Sequence, residues 1–64
     1  MPYEHEERLL TLKEVQHKTG LGRTTVYKMV ERGDFPSQVR VGPRSVRWLR
    51  TEVEQWINRR AERR

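Results

Sequence analysis

The stretch Gly20-Leu21-Gly22-Arg23-Thr24-Thr25-Val26-Tyr27-Lys28-Met29-Val30-Glu31-Arg32-Gly33 constrains the fold more than any other part of the chain. It reads as a tight turn and then a helix over 23–32, with Val26, Met29 and Val30 at the spacing of one buried face. Gly33 suits the left-handed residue that closes a helix, and Arg32 is well placed against the negative end of the helix dipole. Just upstream, Thr11-Leu12-Lys13-Glu14 fits a capping box. There the Thr11 hydroxyl accepts from the Glu14 N–H, and the Glu14 carboxylate reaches back to the Thr11 N–H. Leu10 and Val15 hold the hydrophobic-staple positions, Leu12, Val15 and Thr19 share a face, and Gly20 ends the helix. Two short helices joined by a glycine turn, with Leu21 as the apolar plug, make a helix-turn-helix.

Downstream the apolar period changes. Asp34-Phe35-Pro36 is a connector with Phe35 as its buried anchor. In Val39-Arg40-Val41 and Val46-Arg47-Trp48 apolar residues then alternate with arginines. Gly42-Pro43-Arg44-Ser45 lies between them, with Pro43 suited to position i+1 of a turn. The reading is a two-stranded β-hairpin with an apolar inner face, basic outer positions and an arginine at its tip. Two strands alone are marginal, so the hairpin must pack on the helices. Thr51-Glu52-Val53-Glu54 repeats the capping-box pattern and predicts the start of a third helix, with Val53, Trp56 and Ile57 as its apolar face. From Asn58 the chain is polar, and residues 59–64 are expected to fray. The expected organisation is a flexible tail over 1–8, one domain over 9–59 and a basic tail over 60–64.

The expected fold class is α+β, a small winged helix-turn-helix of three helices and a two-stranded hairpin wing. Its expected core is Leu10, Leu12, Val15, Leu21, Val26, Met29, Val30, Phe35, Val39, Val41, Val46, Trp48, Val53, Trp56 and Ile57. Trp48 and Trp56 each fall on an apolar face, which favours core anchors over base-stacking platforms.

Sixty-four residues make one domain near the lower limit for independent folding. With no cysteine, disulfides and thiolate metal sites are excluded. The histidines, His5 and His17, are not spaced as a chelating pair, and His17 lies off the apolar face, towards solvent. No apolar run approaches a membrane span and no signal-peptide pattern opens the chain. A cytoplasmic chain without metal or cofactor is expected. An enzyme is not, because no nucleophile–base pair or carboxylate cluster is present.

The charge is unevenly placed. Residues 23–50 hold seven basic and two acidic residues, a balance of +5 that equals the net charge of the whole chain. A localised basic stretch on a folded framework points to a polyanion. In a helix-turn-helix the second helix enters the DNA major groove, and its first turns meet the base edges. Setting aside the core positions leaves Arg23, Thr24, Thr25, Tyr27 and Lys28 as candidate readers. Arg23 or Lys28 can donate to guanine O6 and N7, and Thr24 can meet a base edge or a thymine methyl. The Thr25 hydroxyl and the N–H groups at the helix start can hold a phosphate. Tyr27 suits either the sugar-phosphate backbone or half-buried packing. In the wing, Arg40, Arg44, Ser45 and Arg47 are candidates for phosphates or a minor groove. Pairing with Glu52 or Glu54 is the alternative for Arg47 and Arg50. Recognition of RNA is disfavoured, since no exposed aromatic pair sits on the sheet.

The ordered set Leu10, Val15, Gly20-Leu21-Gly22-Arg23-Thr24-Thr25-Val26-Tyr27-Lys28, Gly33-Asp34-Phe35-Pro36, Val39-Arg40-Val41-Gly42-Pro43-Arg44-Ser45-Val46-Arg47-Trp48, Glu52-Val53 and Trp56-Ile57 resembles the AlpA-type prophage regulators. These are small winged-helix proteins similar to the DNA-binding domain of the MerR group and to phage excisionases. Two departures stand out. Gly22 replaces a frequent serine at the helix N-cap, and Gln38 replaces a frequent proline before the first strand. The resemblance implies a sequence-specific double-stranded DNA-binding transcriptional regulator of a prophage or other mobile element. It equally admits an excisionase, a recombination directionality factor that bends attachment-site DNA. A protein-interaction adaptor or antitoxin is a further alternative. The long dimerisation helix and effector domain of MerR-type regulators are lacking, so no small-molecule effector is expected. Cooperativity would come from further copies on repeated sites.

Overall fold

A computed structural model describes residues 8–63, in which the chain runs β1 (Leu9–Leu10), α1 (Leu12–Thr19), α2 (Arg23–Arg32), β2 (Val39–Gly42), β3 (Ser45–Leu49) and α3 (Arg50–Glu62). The class is α+β, and the strands form one antiparallel sheet in the order β1-β3-β2. The tail expected over 1–8 lies, apart from the exposed Arg8, outside the described residues, as does Arg64. The hairpin β2–β3 is the expected wing. The third strand is an addition, with Leu9 paired to Leu49 and Leu10 to Trp48. Two residues carry no readable alternation, so β1 is dictated by the open edge of β3 and not by its own pattern.

The caps of the first two helices follow their residues. Thr11 is the N-cap of α1, accepting from Glu14 N at 3.1 Å while Glu14 Oε1 accepts from Thr11 N at 2.8 Å. Gly20 closes α1 at φ 75°, its N–H bonded to Gln16 O. Gly33 closes α2 at φ 78° in a Schellman arrangement, with Asp34 N donating to Met29 O and Gly33 N to Val30 O. Between the helices, Thr19 Oγ1 donates to Val15 O and accepts from Leu21 N. That pair of bonds ties the turn to α1.

The bond from the Thr11 N–H, above all, holds the Glu14 carboxyl below its ordinary pKa, with the charges of Arg47 and Lys18 adding to it. A lowered folded-state pKa gives stability that is complete above the unfolded carboxylate range and is lost as pH falls through the folded value. Urea midpoints should therefore fall on acidification more steeply for the native chain than for Glu14→Gln. Thr11→Ala should cost about 1 kcal/mol at neutral pH.

The wing departs from expectation in its register. A two-residue turn that pairs Gly42 with Ser45 would, continued regularly, set Val41 against Val46 and Val39 against Trp48. Instead a bulge between Arg40 and Gly42 shifts the ladder, so that Arg40 faces Val46 and Val39 faces Arg47. A one-residue slip moves a strand's side chains to the opposite face. Val39 and Val41, expected in the core, are accordingly 38% and 49% exposed on the outer strand. The expected segregation of valines inside and arginines outside fails for β2, and in β3 Trp48 is buried while Val46 and Arg47 are both half-buried.

The start of α3 also differs. The helix begins at Arg50 with Leu49 as N-cap and no side-chain cap, so the box expected at Thr51-Glu52-Val53-Glu54 does not form. β3 runs directly into the helix, and this junction leaves no extended residue at Thr51 to act as cap. At the other end α3 continues to Glu62, past the expected fraying point. There Arg60 lies 4.6 Å over the Trp56 ring.

Among the described residues six are buried, namely Leu10, Val15, Val26, Phe35, Trp48 and Val53. Apart from β2, every strand and helix supplies one of them, and the connector supplies Phe35. Leu12, Leu21, Met29, Val30, Val46, Trp56 and Ile57 pack around them half-buried, as does Tyr27. Trp48 is the hub: β3 packs on β1, β2, α1 and α3, and its indole N–H donates to Pro36 O at 2.9 Å. Trp56 closes the connector, donating to Asp34 O at 2.6 Å and meeting Phe35 edge-on at 4.8 Å.

Candidate nucleic-acid interface

Successive residues of a helix turn by about 100°. Thr24, Lys28 and Glu31 therefore form one stripe on α2, opposite Val26, Met29 and Val30. Arg23 and Tyr27 flank this stripe on one side and Thr25 on the other. Arg23, Thr24, Thr25 and Lys28 are all exposed. The first turn of α2 holds no acidic residue, and its N-cap, Gly22, makes no side-chain bond. Free N–H groups, a basic residue and two hydroxyls thus meet at the positive end of the helix dipole. Glu31 places a negative charge three residues beyond Lys28, which confines the basic part of the stripe to the first two turns.

Gly22 already has the extended conformation of an N-cap (φ −76°, ψ 164°), and a Cβ there would meet nothing within 4 Å. Gly22→Ser should therefore stabilise the fold by about 0.3 kcal/mol through a restored cap, read as a raised urea midpoint.

Tyr27 resolves into a support. Its ring stands edge-on to Trp48 at 6.0 Å and 61°, half-buried against the core. Arg23 lies over the same ring at 5.9 Å. The guanidinium is thus propped through Tyr27 on Trp48, a link that the four-residue spacing of Arg23 and Tyr27 already allows.

The wing residues divide. Arg44 is exposed at the tip of the turn. Arg40, also exposed, folds back so that Nη1 donates to Pro43 O at 3.0 Å, bracing that turn. Arg47 is half-buried and donates from Nη1 to Val46 O at 2.8 Å. Ser45 is half-buried opposite Gly42, where a Cβ would lie 3.5 Å from its own. Arg44 is therefore the wing residue left wholly to solvent, with Arg40 beside it. Arg50 takes the alternative role, pairing with Glu54 at 3.7 Å, and Lys18 meets the same carboxylate at 3.7 Å. His17 is exposed, as expected. Among the described residues no group of three or more His, Asp or Glu is placed to hold a metal ion, and no helix is long and apolar enough to cross a membrane.

The sequence matches the family model described as prophage CP4-57 regulatory protein (AlpA) over residues 8–61. It is 44% identical over 52 residues to the uncharacterized protein ORF88 of Enterobacteria phage P4, an alignment covering 81% of this chain and 59% of that protein. It is 34% identical over 61 residues to the DNA-binding transcriptional activator AlpA of Escherichia coli K12, covering 86% of this chain and 87% of the relative. The chain thus spans little more than half of the phage P4 protein and most of the E. coli one.

Proposed function

The chain belongs to the AlpA family of prophage regulatory proteins, and from that premise we propose that it is a sequence-specific double-stranded DNA-binding transcriptional regulator of a prophage or other mobile element. The observation that carries this reading is the start of α2. Arg23, Thr24, Thr25 and Lys28 stand exposed there around an uncapped, acid-free helix N-terminus. In this reading α2 lies in a major groove, with Arg23 and Lys28 donating to base edges and Thr24 beside them. The Thr25 hydroxyl and the free N–H groups hold a neighbouring phosphate. Arg44 reaches a further phosphate from the wing, Arg40 stiffening the loop that carries it, while Ser45 and Arg47 keep the strand behind the turn in place. Copies on adjacent repeats supply whatever cooperativity the regulator has, in the cytoplasm and without a small-molecule effector.

Selection of bound duplexes from a randomised pool at about 100 mM salt, where phosphate contacts still contribute strongly to affinity, tests the proposal. One sequence class should be enriched and should map beside a promoter. Absence of enrichment would overturn it in favour of a protein-interaction module. A footprint over direct repeats beside an attachment site, with bending, would turn it towards excision. On the selected site, Arg44→Ala should weaken all duplexes alike and lower the salt slope by about one phosphate.

A further inference from the structure

An open groove of about 820 Å³ runs between the connector after α2 and the outer face of α3. It borders Gly33, about 15 Å along the helix axis from Arg23, and so lies away from the start of α2. Its apolar part is Val39, which is exposed, with Leu49 and Trp56, which are half-buried. Its charged part is mixed in sign. Asp34 and Glu52 bring carboxylates, Arg59, Arg60 and Arg63 bring cations, and all five are exposed. Arg60 is stacked on Trp56. The other four make no ion pair among the described residues. A polyanion here would meet Asp34 and Glu52, and a polycation would meet the arginines. The groove calls for a partner of mixed sign.

The charges are ordered along α3. Glu52 stands in its first turn, Gln55 and Trp56 come one turn later, and Arg59 and Arg63 follow on the same side. Side chains meet along a helix at three or four residues apart. Glu52 and Arg59 are seven apart, about 10 Å along the axis, with Trp56 between them. That spacing makes α3 complementary to itself. Run antiparallel to its own copy, with a two-fold axis between residues 55 and 56, the helix sets Glu52 opposite the copy's Arg59 and Arg59 opposite the copy's Glu52. Such reciprocity is what a two-fold contact requires. Each Trp56 then lies beside the axis, at the centre of the patch, where a large aromatic side chain contributes most to association.

We propose that this groove is a contact between two copies of the chain, in which α3 pairs antiparallel with α3 across a two-fold axis beside Trp56 and Glu52 of each copy meets Arg59 of the other. The contact is independent of the DNA reading, and it leaves the start of α2 open in both copies.

Sedimentation of the full chain without DNA tests it. The native chain should pass from one copy to two as its concentration rises. Glu52→Arg and Arg59→Glu, each alone, set like charges opposite one another twice in every pair and should weaken self-association about tenfold or more. An equimolar mixture of the two variants should associate again, since each supplies the sign that the other lacks. Both variants keep a positive net charge, so overall attraction cannot cause that recovery. Both positions are exposed, and circular dichroism should show the helices kept. A native chain that stays single into the millimolar range would overturn the proposal, as would pairs that survive either change alone. So would a mixture of the two variants that stays single. None of these outcomes depends on DNA binding.

Discussion

Trp48→Ala should leave a large share of the chain unfolded in water. Truncating a buried tryptophan costs about 3–5 kcal/mol, and Pro36 O would in addition lose its donor, worth about 1 kcal/mol. A chain of this length has about 3–10 kcal/mol in all at typical stability per residue. The loss is concentrated because Trp48 is fully buried, joins β1 and β2 through their common strand, and carries Tyr27 of α2. Urea titration followed by circular dichroism should show the midpoint collapse. Trp48→Phe, which keeps a ring and loses the N–H, should fall between. A shift of a few tenths of a kcal/mol for the alanine variant would remove Trp48 from its place at the centre of the fold.

Arg23→Ala should separate binding from stability. Loss of a bidentate guanine contact costs about 1–3 kcal/mol, or roughly 5- to 150-fold in affinity, and relaxes preference at one base pair. The fold should not suffer. Arg23 is the first residue of α2, where a cation opposes the helix dipole, and removing it should stabilise the helix by about 0.3 kcal/mol. A variant that binds a selected site far more weakly yet unfolds at equal or higher urea would fit the proposed role. Tyr27→Leu, which removes the ring beneath the guanidinium, should reproduce part of the binding loss. Unchanged affinity and preference in Arg23→Ala would place base reading elsewhere on α2.

What the sequence determined by itself is local. Thr11 with Glu14, Gly20 and Gly33 act within a few residues of themselves, through one or two hydrogen bonds or a positive φ. The bounds of α1 and α2 were therefore legible, and with them the exposure of Arg23, Thr24, Thr25 and Lys28. The resemblance to the AlpA regulators was legible for the same reason, resting on an ordered series of short motifs.

The tertiary structure decided what depends on partners distant in sequence. β1 exists because β3 has an open edge, and α3 starts at Arg50 because β3 feeds straight into it. The bulge before Gly42 is a property of two paired strands together. No alternation within Val39-Arg40-Val41 could announce that it would turn both valines outward. Tyr27 was balanced between backbone contact and packing until Trp48, far along the chain, took up position beneath it. Caps and periodicity are set by neighbours in sequence, whereas register and burial are set by whichever surface the fold brings opposite.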